Sequence, residues 1–117
     1  MDPKKVNVIN VLQLIANVEE QDKYCRDVPI ANVAAELICQ WFDDFFHPES
    51  NSFKESFSDD EWKILMEFHH YYDGLVEKLP DNYEALREDF NWKQIVGKAA
   101  WALEMLGWRD LEAKYDD

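Results

Sequence analysis

SDDEWKILMEFHHYYDGLVEKLP, residues 58–80, decides the fold class. Ser58 with Glu61 three residues later is a capping box, in which each side chain accepts from the other residue's backbone N–H. Asp59, Asp60 and Glu61 set three carboxylates in the first turn, where they suit the positive end of a helix dipole. Leu65, Phe68, Tyr72, Leu75, Val76 and Leu79 then recur at three- and four-residue intervals, the apolar stripe of an amphipathic helix. Pro80 cannot continue it. One long helix with one apolar face needs further helices to bury that face.

The flanking segments supply them. Upstream, Asp27 and Pro29 predict the start of a helix running toward Phe46, with Ile30, Ala34, Ile38, Trp41 and Phe45 sharing its apolar face and Pro48 stopping it. HPESNSFKESF then reads as a loop of roughly ten residues, long for a helical bundle. At the N-terminus, Asp2 and Pro3 open a helix through Val18 that is apolar almost all round, apart from a stripe of Asn10, Gln13 and Asn17. Its Val6 and Val8 alternation leaves a short strand as the alternative, and Glu19 to Arg26 reads as a polar connection. Downstream, DNYE at 81–84 predicts a short helix to about Glu88. Asn91 caps a last helix from Trp92 to Leu106 that Gly107 closes. Its Trp92, Ile95, Val96, Ala99, Leu103 and Leu106 face inward. Trp101 and Met105 face the other way, either under the tail residues Trp108, Leu111 and Tyr115 or toward a partner. The expectation is an all-α bundle of four to five helices in a single domain, residues 1–117.

Composition narrows the functional classes. The chain has 117 residues, 47% of them hydrophobic, enough for one real core. Three Gly and four Pro are too few for a turn-rich β protein. No apolar run reaches the ~20 residues of a membrane span, and MDPKKVNVIN does not read as a secretory signal. Cys25 and Cys39 lack metal-ligand spacing and are read as reduced thiols of a cytoplasmic protein. Net charge is −13, and residues 27–80 alone carry three basic against twelve acidic groups. Such a field repels nucleic acid and anionic membrane, so neither is expected as a partner, and it steers cationic partners in.

Little in the chain points to catalysis. Asp44 with His47 and Glu67 with His70 have the acid-x-x-His spacing of di-metal bundles, but such ligands must project into the core. Here His70 lies opposite the Leu65–Phe68–Tyr72 stripe and His47 lies on a polar face, so no metal or other cofactor is expected. There is no nucleophile motif and no glycine-rich phosphate loop, and among so many carboxylates no acid–base pair stands out. His69 should be a partly buried, hydrogen-bonded residue near Trp62 and Val76. The chain is expected not to be an enzyme.

What does stand out is WFDDFFHPESNSFKESFSDDEW, residues 41–62, the densest acidic and the densest aromatic stretch together. A loop joining consecutive helices crowds its acids at one end of a bundle. The expected partner-binding set is Asp43, Asp44, Glu55, Asp59 and Asp60 for complementary charge, with Phe46, Phe53 and Tyr71 as apolar anchors. Equally, Phe53 and Phe57 could serve only to staple the loop, and the acids after Ser58 only to serve the helix dipole. The alternative interface is Trp101 and Met105, through which a structural or adaptor subunit would form a homo-oligomer.

In size, acidity and helical pattern, with HPESNS after the second helix and HYYD at 70–73, the chain resembles the small acidic immunity proteins of bacteria. These inhibit colicin-like nucleases and contact-dependent growth-inhibition toxins. In the DNase-colicin inhibitors the tyrosine pair follows the His-Pro turn closely on a short helix, whereas Tyr71 and Tyr72 lie far downstream within a long one. The resemblance implies a non-enzymatic inhibitor whose partner is a basic protein, a toxin nuclease domain.

Overall fold

Asp2 accepts a hydrogen bond from the Lys4 N–H and Pro3 occupies the first helical position, so the chain enters α1 (Pro3–Ile15) at once. The computed structural model describes residues 1–115. Val6, Val8, Ile9, Val11, Leu12 and Ile15 of α1 are all buried, and no strand forms among the described residues. A helix apolar on so many sides must be central, and α1 packs against the helices at Val18–Asp27 and Phe90–Leu106 and the helical turn at Gln40–Phe45.

α1 stops before Val18 because Asn17 caps the next helix, accepting from the Glu20 N–H. The segment read as a polar connection is α2 (Val18–Asp27), with Glu19 and Glu20 in its first turn and Arg26 in its last. Its one buried residue is Gln21, whose Nε2 donates to the Leu14 and Ile15 carbonyls at the end of α1, both at 2.9 Å; the Leu14 carbonyl also accepts from the Asn17 N–H at 3.2 Å. Gln21 Oε1 accepts from Trp92 Nε1 at 3.2 Å. A glutamine buried as a cap looks polar in a hydropathy pattern, which is why the helix was not visible there.

Because α2 runs through Asp27, the following helix cannot start there. Val28–Ala31 form a turn, Ile30 is 96% exposed rather than in the core, and Asn32 caps α3 (Val33–Cys39). From Gln40 to Phe45 the helix widens into a π turn, closed by the Phe46 N–H on the Trp41 carbonyl at 3.0 Å. Five residues of ordinary α-helix would put Trp41 and Phe46 about 140° apart. The wider turn brings both onto the core side, so Phe46 is buried and Phe45, expected there, is only half-buried.

The expected loop contains a single turn, α4 (Asn51–Lys54), capped by Ser50. The capping box of Ser58 and Glu61 forms as predicted and opens α5 (Asp59–Leu75), which buries Leu65, Phe68 and Tyr72. A 3₁₀ turn (Val76–Lys78) continues it toward Pro80. α6 (Tyr83–Glu88) is capped by Asn82, not Asp81, and α7 (Phe90–Leu106) by Asp89, not Asn91. Each true cap accepts from the N–H three residues on. Gly107 ends α7 at φ 72°, with Gly107 N–H on the Glu104 carbonyl and Trp108 N–H on that of Leu103. Trp108 is thereby driven into the core, and Ala102 joins the buried face of α7. The result is an all-α bundle in which α7 lies between α1 and α5.

Candidate functional site

Trp41, Phe46, Phe53, Phe57 and Trp62 of the 41–62 stretch make one aromatic cluster, while Phe42 packs on Tyr72 and His69. Trp41 lies parallel on Phe46 at 4.5 Å between ring centroids, and Phe46 continues to Trp62 at 5.6 Å. Phe53 meets Phe46 edge-on at 5.5 Å and touches Phe57 at 5.2 Å. Offset and edge-on pairs of this kind are each worth about 0.5–1.5 kcal/mol beyond the area they bury. Trp41 Nε1 donates to His69 Nδ1 at 3.2 Å, a geometry that needs that nitrogen unprotonated. Burial holds the His69 pKa below the usual histidine value, against the opposing pull of Asp73.

This placement corrects two of the expected anchors. Phe46 is 1% and Phe53 3% exposed, so neither can reach a partner; both hold the loop to the bundle. Tyr71 is 36% exposed but sits elsewhere. It follows Asp59 by twelve residues on α5, about 18 Å along the axis. There it lies under the Lys98 ammonium of α7, 5.6 Å from the ring centroid. The same ammonium stands 3.8 Å over the Trp101 ring and 3.7 Å from Glu67. Tyr71 therefore belongs with Trp101, not with the acids. Trp101 is half-buried and its neighbour one turn on, Met105, is 58% exposed.

The carboxylates remain at the surface. Asp43, Asp44, Glu55, Asp59 and Asp60 are all exposed, and among the described residues none of them is ion-paired with a basic side chain. Burial first and the neighbouring Asp43 carboxylate next raise the Cys39 thiol pKa, leaving Cys39 a poor nucleophile at neutral pH. Asp44 lines a cleft of about 200 Å³ with Lys4, Asn7, His47 and Glu49. The other acids of this stretch are committed internally. Burial works to raise the Glu61 pKa, but the Ser58 N–H and Lys5 at 3.0 Å hold it low on balance. Glu49 lies 3.5 Å from His47 Nδ1.

α1 buttresses this end through contacts that no local spacing in the chain signals. Lys4 Nζ donates to Ser52 Oγ at 3.0 Å, Ser56 Oγ donates to Asp2 at 2.6 Å, and Lys5 pairs with Glu61. These contacts join residues about fifty positions apart. Together with the aromatic cluster they hold the acidic loop from both sides.

The metal spacings lead nowhere comparable. His47 uses Nε2 on the Asp44 carbonyl at 2.9 Å and Nδ1 toward Glu49, while Glu67 is engaged by Lys98. Among the described residues no group of three or more His, Cys, Asp or Glu gathers as metal ligands would. No helix among them is long and apolar enough to cross a membrane. Comparison with protein-family models, with curated proteins and with solved structures finds no match to this chain.

Proposed function

We propose that the chain is a non-enzymatic, acidic binding protein that captures and neutralises a basic protein, with a toxin nuclease domain as the partner class. The observation that carries this reading is the set of exposed carboxylates Asp43, Asp44, Glu55, Asp59 and Asp60, none ion-paired with a basic side chain among the described residues, on a stretch clamped by Trp41, Phe46, Phe53, Phe57 and Trp62. Carboxylates on a rigid support lose little entropy on engaging a cation, so preorganisation adds to the affinity. Their summed field accelerates encounter with a cationic surface, and a nuclease cleft built to hold phosphate is such a surface. The aromatics serve this role from behind, as the frame rather than the contact.

Self-association through Trp101 and Met105 is the weaker reading, because Lys98 covers one face of the Trp101 ring, the ring also lines the groove beside the tail, and Met105 is left as the exposed apolar group.

The test compares wild type with Asp43→Lys/Asp44→Lys in capturing basic proteins from the native host, followed by association kinetics with the partner recovered. Both positions are exposed, so the fold should be retained by circular dichroism. Association should slow about ten-fold or more at low salt, with the difference shrinking as salt rises. Equal association rates for the two proteins would refute the assignment of this end.

A further inference from the structure

A second surface stands apart from the acidic end. The junction of α1 with α2, the outer face of α7 and the tail after Gly107 enclose an open groove of about 1340 Å³. Leu14, Ala16, Val18, Leu111 and the half-buried Trp101 give it an apolar strip, beside the polar side chains of Asn10, Gln13 and Asn17. Its rim carries Glu19, Glu20, Glu104, Asp110 and Glu112; of these, Glu104 lies 3.8 Å from Arg109, the one base among the described lining residues, and Glu112 lies 2.9 Å from Lys114. Glu19, Glu20 and Asp110 have no cationic partner among the described residues.

Gly97 adds an independent sign. It lies mid-way along α7 on the groove wall, where glycine is less favourable than alanine. A Cβ built there meets nothing within 4 Å, so no contact inside the chain requires the glycine. With Ala100 one turn on, it leaves a shallow track along α7 that lets another backbone come close. The groove exceeds the roughly 300–1000 Å³ typical of small-molecule pockets. An apolar strip between acidic rims matches a helix with a narrow apolar stripe and basic flanks.

We propose that this groove receives a basic amphipathic helix of a partner protein, its apolar stripe on Trp101 and Leu111 and its Lys or Arg side chains on the Glu19–Glu20 and Asp110–Glu112 rims. This inference does not depend on the acidic 43–60 surface being a binding site.

The probe is a Lys/Leu peptide of about 18 residues with its leucines on one helical face. A scrambled peptide of the same composition is the control, titrated against isotope-labelled protein. The patterned peptide should shift the Trp101 indole, Gly97, Leu111 and the Gln13 side-chain amide most, and should bind about ten-fold more tightly than the scrambled one. Gly97→Leu fills the track and should weaken binding about ten-fold with no loss of thermal stability. Asp43→Lys/Asp44→Lys should bind the peptide as wild type does. Absence of binding, equal binding of the scrambled peptide, shifts centred on 43–61, or indifference to Gly97→Leu would each overturn the groove and leave the proposed function standing.

Discussion

Single side chains hold this bundle at points that hydropathy does not mark. Gln21 is fully buried and spends both halves of its amide, the N–H groups on two helix-end carbonyls and the oxygen on Trp92. Gln21→Leu keeps the volume but leaves the Ile15 carbonyl and Trp92 Nε1 without that partner in the interior, while the Leu14 carbonyl keeps the Asn17 N–H. It should cost about 3 kcal/mol in urea unfolding, and a loss below about 1 kcal/mol would contradict the capping role. His69 offers a pH test. Its folded pKa is depressed, so below the ordinary histidine value the unfolded chain binds the proton first and stability falls with pH. The penalty is absent well above that value and complete once pH has dropped below the folded one. Unfolding midpoints should therefore fall between about pH 7.5 and about pH 5.5, and His69→Gln should flatten part of that slope. An unaltered slope in the variant would mean the Trp41 contact does not select the neutral imidazole.

At the scale of elements, two features shape the candidate surfaces. The π turn at the end of α3 stacks Trp41 with Phe46, and Phe46 in turn meets Trp62 in the first turns of α5. The tail is laid over α1 by Gln13, whose Nε2 donates to the carbonyls of Trp108 at 2.9 Å and Leu111 at 2.8 Å. That contact forms one wall of the groove. Gln13→Ala should cost about 1–2 kcal/mol and speed amide exchange from Trp108 to Leu111 while α7 stays protected. Uniform exchange across α7 and the tail would show that the two unfold together. α6 is fixed differently, by Arg87 on both oxygens of Asp22 and by Tyr83 Oη at 2.7 Å to the same carboxylate. Arg87 first and Tyr83 next hold the Asp22 pKa below the usual range, so this tie is present above the ordinary carboxylate pKa and lost as pH falls through the lowered one.

For the whole molecule, charge is the dominant fact. A net charge of −13 on 117 residues repels itself, and the compact state concentrates that repulsion. Added sodium chloride should therefore raise the melting temperature over the first ~0.2 M, as screening shortens the reach of like charges to about 8 Å. A melting temperature that drops instead would mean that surface pairs such as Lys5–Glu61 outweigh the net repulsion.

The all-α class, the helix from the Ser58 capping box, the stop at Gly107 and the central place of α1 could all be read from the chain. Each rests on contacts within one or two helical turns, so local spacing encodes it. α2 could not be read this way, because its buried face is a glutamine satisfied by α1 and α7. Nor could the π turn, since the choice between Phe45 and Phe46 depends on Trp62 and Phe53 being there to receive the ring. The acids of the candidate surface were visible as charge. Only tertiary packing decided that their aromatic neighbours face inward, that Tyr71 sits with Trp101 under Lys98, and that the tail and α7 frame a groove. Burial is a property of what the rest of the chain brings to a side chain, and contacts between residues fifty or more positions apart leave no period in the sequence.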